Sequence, residues 1–441
     1  MRYRAVRPLP LLLGIVICCL GLGCSNSERI DNEVVAFWDI EADATPLSTQ
    51  LNYLPIDDSE YPYAGIPRIV IETENHREIK DRETEIPAKL QVWGADAPES
   101  EVMELTIRGR GNSSWTHSPK KSYKIKFNTK ESLFGLHKDR EWALIANYAD
   151  KSMLKNYISY KLFHEISDTW NPQIHFIELY LNNNYQGIYA FTETIKKTTH
   201  RVAINDNDFL LEIDAKTKAN DQTIYVDGFT YPFKIHWPKN ANEKALKQVT
   251  EHLDNFQKFI SSDKVSKGDE YSQWIDAEKF TKYFWLQEFS KNLDAYYTSS
   301  FLIVRENGLV EMGPLWDMDA AYGYPGWDVN ATIPTDGFRQ KKIWLLPFFK
   351  NKSFSQYADS IWKEMSPIIK NYADSITSIG MLLEHPYVNE EKKWHKLESS
   401  LNPLHHKGYS SYTNAYTDFR NWYINRLDWL DKNSNKLNLK I

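Results

Sequence analysis

Three aspartates in two short segments are the residues of this chain best placed to do chemistry. KNLDAYYT carries Asn292 and Asp294, and PLWDMDAAYG carries Asp317 and Asp319. Between them, SSFLIV and GLVEMG predict a β-hairpin, so both ends of one strand pair bear carboxylates. Clustered carboxylates with few basic neighbours repel one another unless a cation shares them. Mg²⁺ held together with nucleotide phosphates is one such cation. Asp-x-Asp alone is a weak signal, common at helix caps and turns. Its position after a strand, beside Trp316 and before Gly323, strengthens it.

The counterpart to these acids is ELTIRGRGNSSWTHSPKKSYKIKF, Glu104 to Phe127. Two alternating strands flank a turn rich in Arg, Gly, Asn and Ser. In the second strand Tyr123, Ile125 and Phe127 share one face, and Ser122, Lys124 and Lys126 the other. Small residues let backbone approach a polyanion, hydroxyls donate, and lysines add charge. A solvated hairpin with a basic outer face is the plainer explanation.

Elements able to position these groups follow in order. RIVIET, AKLQVWG, ELTIRGRG and SYKIKF read as strands. The stripe Met153, Leu154, Tyr157, Ile158, Tyr160, Leu162 and Phe163 predicts a helix, with Asp150 as its N-cap. IHFIELYL and YQGIYAFTE form a hairpin about Asn182, Asn183 and Asn184. DFLLEID is a further strand, leading into a polar stretch that ends near HWPKN. Beyond Asn240, NEKALKQVTEHLDNFQKFISS and IDAEKFTKYFWLQEFSKN are helical, and helical segments run on to YTDFRNWYINRLDWLDK. The expected fold class is α+β, an atypical protein-kinase-like two-lobed fold with a β-rich N-lobe and a helical C-lobe. A lysine strand, a helix, a hairpin ending in Glu193, then helices, an Asp, a strand pair and a second Asp follow the running order of a protein kinase. GxGxxG, HRD and DFG strings are absent.

RGRGNSSW…PKKSYKIKF, LFGL…EWALIANYADKSMLKN, ELYLNNNYQGIYAFTE, KNLDAYYTSSF and GPLWDMDAAYG together resemble the spore-coat protein H (CotH) kinase family, from about Pro67 to about Asp431. The resemblance implies an atypical kinase that binds ATP with a divalent metal, Mg²⁺ or Mn²⁺, and phosphorylates Ser or Thr of proteins. It implies Asp294 as the catalytic residue and Asp317 as a metal ligand, with Asp319 in the same cluster. Arg108, Ser113 and Ser114, with Lys121 and Lys124, would face the phosphates, and Glu193 would end the hairpin at a hinge near adenine. Which lysine touches phosphate stays open, since Lys121 shares a strand face with Tyr123 and Lys124 lies on the polar face. Thr298 or Ser299 stands where typical kinases place an Asn metal ligand.

The N-terminus points to export. Arg2, Arg4 and Arg7 precede an apolar stretch, Leu9 to Leu22, too short for a comfortable membrane span. Gly23-Cys24 followed by SNSERIDNE resembles a lipoprotein cleavage site, although Gly21 departs from that pattern. An ordinary secretory signal is the alternative. The expected organisation is a signal peptide over 1–23, a lipidated Cys24 and tether over 24–65 with docked aromatics such as Phe37 and Trp38, and a kinase-like domain over 66–435. Its lobes would divide near 235/236. All three cysteines, Cys18, Cys19 and Cys24, fall in the N-terminal segment, so the mature chain would have no disulfide. Removing residues 1–23 takes the formal net charge from −6 to −9, which argues against general nucleic-acid binding.

Histidines do not suggest a site. His117, His137, His175, His236 and the pair His405-His406 show no HExxH spacing, and CxxC and GxSxG are absent. Two functions follow. One is phosphoryl transfer from ATP to Ser or Thr of envelope or surface proteins, by a lipoprotein anchored to a membrane through its N-terminal lipid. The other, motivated by an ATP-poor compartment, is a kinase-fold surface protein that binds a partner without turnover. Oligomeric state is not indicated.

Overall fold

A computed structural model describes residues 53–324, 326, 328–340, 343–398 and 408–439. The predicted signal segment, Cys24, Phe37, Trp38, His405 and His406 lie outside the described residues.

Seven strands close into a barrel in the order β1-β2-β3-β4-β5-β7-β6. They are β1 (Arg68–Thr73), β2 (Ile86–Trp93), β3 (Met103–Arg110), β4 (Ser122–Glu131), β5 (Asp139–Ile145), β6 (Ile174–Leu181) and β7 (Asn184–Glu193). Neighbours are antiparallel except β6 and β1, whose parallel pairing shuts the barrel. Alternation decides which side chains fill it: Ile69, Ile107, Ile125, Phe127, Trp142 and Phe191 are buried in one cluster. The alternate residues Lys124 and Lys126 of β4 point outward and stay partly exposed. Asn182 and Asn183 both take positive φ (50° and 58°), the geometry of a tight hairpin turn between β6 and β7.

Closure depends on β5, a strand the sequence pattern does not separate from the helix that follows. Between β5 and β6 lies helix α2 (Lys155–Ile166), and the turn between β3 and β4 holds the short helix α1 (Ser113–His117). Leu154, not Asp150, occupies the N-cap of α2, but the Asp150 carboxylate still accepts the Lys155 N–H at 2.9 Å.

A second, five-stranded antiparallel sheet has the order β12-β11-β8-β10-β9. It joins β8 (Phe209–Ile213), β9 (Thr223–Ile224) and β10 (Phe233–Trp237) to β11 (Ser300–Val304) and β12 (Val310–Met312). The polar stretch before HWPKN therefore contains strands. The division expected near 235/236 falls within β10, and strands from both sides of it share this sheet.

The second half is helical: α3 (Glu243–Ile260), α4 (Ala277–Ser290), α5 (Lys352–Trp394) and α6 (Tyr412–Asp431). Helix α5 runs for 43 residues and contains Pro367 and Pro386. It reaches the barrel, where buried Glu390 accepts from Lys120 Nζ (2.7 Å) and from the Ile188 N–H (2.7 Å). Gly187 allows that approach, because a Cβ there would stand 2.1 Å from Glu390 Oε2. In α6, Arg426 is fully buried and pairs with Glu288 of α4 at 2.5 Å, anchoring the closing helix. Residues 53–65 also dock: Leu54 is buried beside Val70 and Tyr180, and Tyr61 stacks on Tyr185.

Candidate active site

Asp294 sits in the loop between α4 and β11. Lys291 leaves the helix in the left-handed region (φ 47°), and Asn292 turns back so that its Oδ1 accepts the Asp294 N–H at 3.1 Å. The Tyr297 and Thr298 N–H groups donate to the Asp294 carbonyl at 3.0 and 3.1 Å. This folds the loop into a tight turn with the carboxyl inside it.

Asp317 and Asp319 follow β12. Asp317 itself has φ 60°, a conformation costly for a non-glycine residue and held only by firm surroundings. Helix α2 supplies them: Tyr160 Oη accepts the Asp317 N–H at 3.0 Å, and Asn156 Oδ1 accepts the Met318 N–H at 2.7 Å. Leu293 N–H donates to the Ala320 carbonyl at 3.2 Å, tying the two aspartate loops together.

The structure thus brings Asp294, Asp317 and Asp319 into one electrostatic cluster. Burial, then the charges of Asp317 and Asp214, push the Asp294 carboxyl up to about 7, with Lys216 opposing. Asp294 Oδ1 is buried without a hydrogen-bond partner. The Asp319 carboxyl is held well above the usual carboxylate range by burial, by Asp317 and by Asp294, and it shares a hydrogen bond with Asp317. Asp319 retains some solvent access despite the protein packed around it.

Among the described residues no group of three His, Cys, Asp or Glu side chains converges as a metal cage. Two adjacent carboxylates fit a different kind of ion. Mg²⁺ commonly keeps several waters and uses one or two carboxylates together with substrate phosphates. The orphaned Asp294 oxygen and the repulsion at Asp319 are what such a cation would relieve.

The basic side of the site differs from the expected one. Arg110, not Arg108, faces the acids: its guanidinium lies 5.1 Å from the Trp316 ring centroid, and Asp317 opposes the lowering that burial imposes on it. Trp316 in turn stacks on Tyr160. Arg108 donates to the Arg82 carbonyl at 2.5 Å and lies 4.0 Å from Glu85. Lys121 Nζ donates to the Trp115 and Ser118 carbonyls, both at 2.6 Å, which secures the end of α1. Lys124 pairs with Glu141 of β5 at 3.3 Å. Ser113 is exposed in α1, 3.4 Å from Lys216 Nζ, and Ser114 is partly exposed beside it. Glu193 is buried, accepts the Gln173 N–H at 3.2 Å, and lies 3.5 Å from Arg201.

Asp214, Lys216 and Arg110 were not singled out from sequence. Asp214 follows β8 and its Oδ1 accepts from Thr298 Oγ1 at 2.7 Å, whereas Ser299 Oγ lies 3.5 Å from Asp317. A signal existed for two of them. Asp214 closes DFLLEID as Asp317 follows its own strand, and Arg110 is the second arginine of RGRG.

Arg110, at the end of β3, thus lies against two loops whose carboxylates cluster. The chain belongs to the CotH kinase family: the family model described as CotH kinase protein matches residues 107–430, most of the sequence. No curated protein matches it. The matched span takes in Arg110, all three aspartates and Arg426, and begins within β3.

Proposed function

We propose that this chain is an atypical protein kinase that transfers the γ-phosphoryl group of ATP to Ser or Thr of a protein. Asp294 carries the reading: a buried carboxyl near neutrality with one unpartnered oxygen, beside two further carboxylates. A general base works best when its pKa lies near the operating pH. In this scheme Asp294 orients the acceptor hydroxyl and takes its proton as the oxygen–phosphorus bond forms, and ADP leaves. Asp317 and Asp319 are the residues that would hold Mg²⁺ or Mn²⁺, which when bound neutralises phosphate charge. Arg110 faces the phosphates from the barrel edge, with Ser113 and Ser114 on the adjoining turn. Of the two lysines, Lys121 is held by two backbone carbonyls and Lys124 by a single ion pair with Glu141, which makes Lys124 the better candidate. Glu193 belongs to the adenine side.

The barrel with α2 would act as the nucleotide lobe and the helical half as the acceptor lobe. No helix among the described residues is long and apolar enough to cross a membrane. Attachment through a lipid on Cys24, after export, is the proposed tether.

ATP with Mg²⁺ should raise the melting temperature, because a ligand that prefers the native state stabilises it. Asp317→Ala should abolish that rise. A rise unchanged in Asp317→Ala would remove Asp317 from the metal site, and no rise at all in the wild type would favour a binding protein without turnover.

A further inference from the structure

A cleft of about 1010 Å³ opens directly beside Asp294, on backbone that the aspartate shares: Leu293, Ala295, Tyr296 and Tyr297 line it, as does Lys216. Its other walls come from the stretch around Phe229–Tyr231, the end of α3, and residues within 328–340 and 343–347. Gly228 (φ 89°) lets the first wall close on α3, since a Cβ there would meet Gln257 at 2.1 Å.

Two features describe what would fit. The walls are aromatic, with Phe229, Tyr231 and Trp344. Val329, between the lining residues Asp328 and Asn330, leaves a large apolar side chain in solvent (51% exposed).

Charge speaks against an anion here. Lys291 Nζ is engaged by the Asn330, Ile333 and Asp336 carbonyls at 2.7–3.3 Å, and Arg339 lies 3.4 Å from Asp328. Asp328 and Asp336 nearly offset the three cations of the lining.

We propose that this cleft seats the acceptor as an extended polypeptide segment, chosen by large apolar or aromatic side chains close to its Ser or Thr and not by charge. The assignment rests on the kinase reading only for the hydroxyl's fate; the cleft would bind such a segment whether or not transfer followed.

The test is selection from short peptides randomised around one central Ser or Thr, using the full chain. Large apolar residues near the hydroxyl should be enriched without a charged consensus. Tyr231→Ala and Ile343→Glu should each weaken the best peptide about tenfold, the scale of a single interface anchor. Both should keep the ATP-induced rise in melting temperature, and if one variant melts early the other carries the comparison. Asp294→Asn should select the same peptides. No enrichment, a charged consensus, or full affinity in both cleft variants would overturn the proposal. Should Asp294→Asn still transfer phosphate while the cleft variants lose peptide, the catalytic assignment of Asp294 falls and the cleft stands. Should transfer need Asp294 while peptides ignore the cleft variants, the cleft alone falls.

Discussion

Asp294 combines burial with an unsatisfied oxygen, so the folded protein carries a cost at this residue when it is ionised. Its carboxyl stands at about 7, above the ordinary 3.8. The folded chain therefore binds more protons than the unfolded one between those values, and stability falls as pH rises through that window. Asp294→Asn should then stabilise the ligand-free protein by roughly 2–4 kcal/mol above pH 7 and by little near pH 4, as denaturant midpoints at the two pH values would show. An equal effect at both pH values would contradict the raised pKa. Arg110 makes a second test at this scale. Arg110→Met should weaken ATP at least about tenfold in a titration, since a charge-assisted contact to phosphate is lost, whereas Lys121→Met should change it little. The reverse ranking would return the phosphate role to Lys121. Neither point could be read from sequence. RGRG offered two arginines, and only the β3–β4 register, which places Arg110 opposite Ser122, shows which one meets Trp316.

Elements hold the site through two buried ion pairs far apart in sequence. Lys120–Glu390 joins the barrel to α5, and Arg426–Glu288 joins α6 to α4, the helix that leads into the Asp294 loop. All four side chains are fully buried. Removing one partner leaves an uncompensated charge, so Lys120→Met and Arg426→Leu should each cost about 3–5 kcal/mol by denaturant unfolding. Replacing Lys120 and Glu390 together by apolar residues should recover much of that loss; a double variant as unstable as the single one would mean packing, not charge, sets the cost. Several elements were plain from pattern: β1 to β4 alternate, the Asn turn of β6 and β7 is a short-range signal, and α3, α4 and α6 show helical spacing. Strand β5, DREWALI, was hidden because its apolar residues run continuously toward the segment preceding α2. Helix α5 is one continuous element where the sequence shows only helical segments, and it contains Pro367 and Pro386, residues that ordinarily break a helix.

At the scale of the whole molecule, what the pattern could not show is closure. The parallel β6–β1 pairing and the joining of β8 to β11 link residues far apart, and no local periodicity encodes such contacts. The second sheet has a functional consequence, because β8 delivers Asp214 and β11 begins beside Asp294. The three acids of the cluster, by contrast, were legible from residue type and the hairpin between them. Helix α6 closes this assembly, so truncation after Ser411 should give an insoluble or early-melting product that no longer binds ATP. A stable truncate that still binds ATP would show α6 to be dispensable for the core.

The central claim concerns chemistry at Asp294, and phosphoryl transfer reads it directly. The full chain is incubated with γ-labelled ATP and Mg²⁺ or Mn²⁺, with itself and a Ser-rich protein as acceptors, alongside Asp294→Asn. Metal-dependent labelling of Ser or Thr that falls by several orders of magnitude in Asp294→Asn is the expected result, the scale on which catalytic parts of such sites contribute. Equal labelling by the two proteins, or none by the wild type under conditions where it binds ATP, would contradict the account.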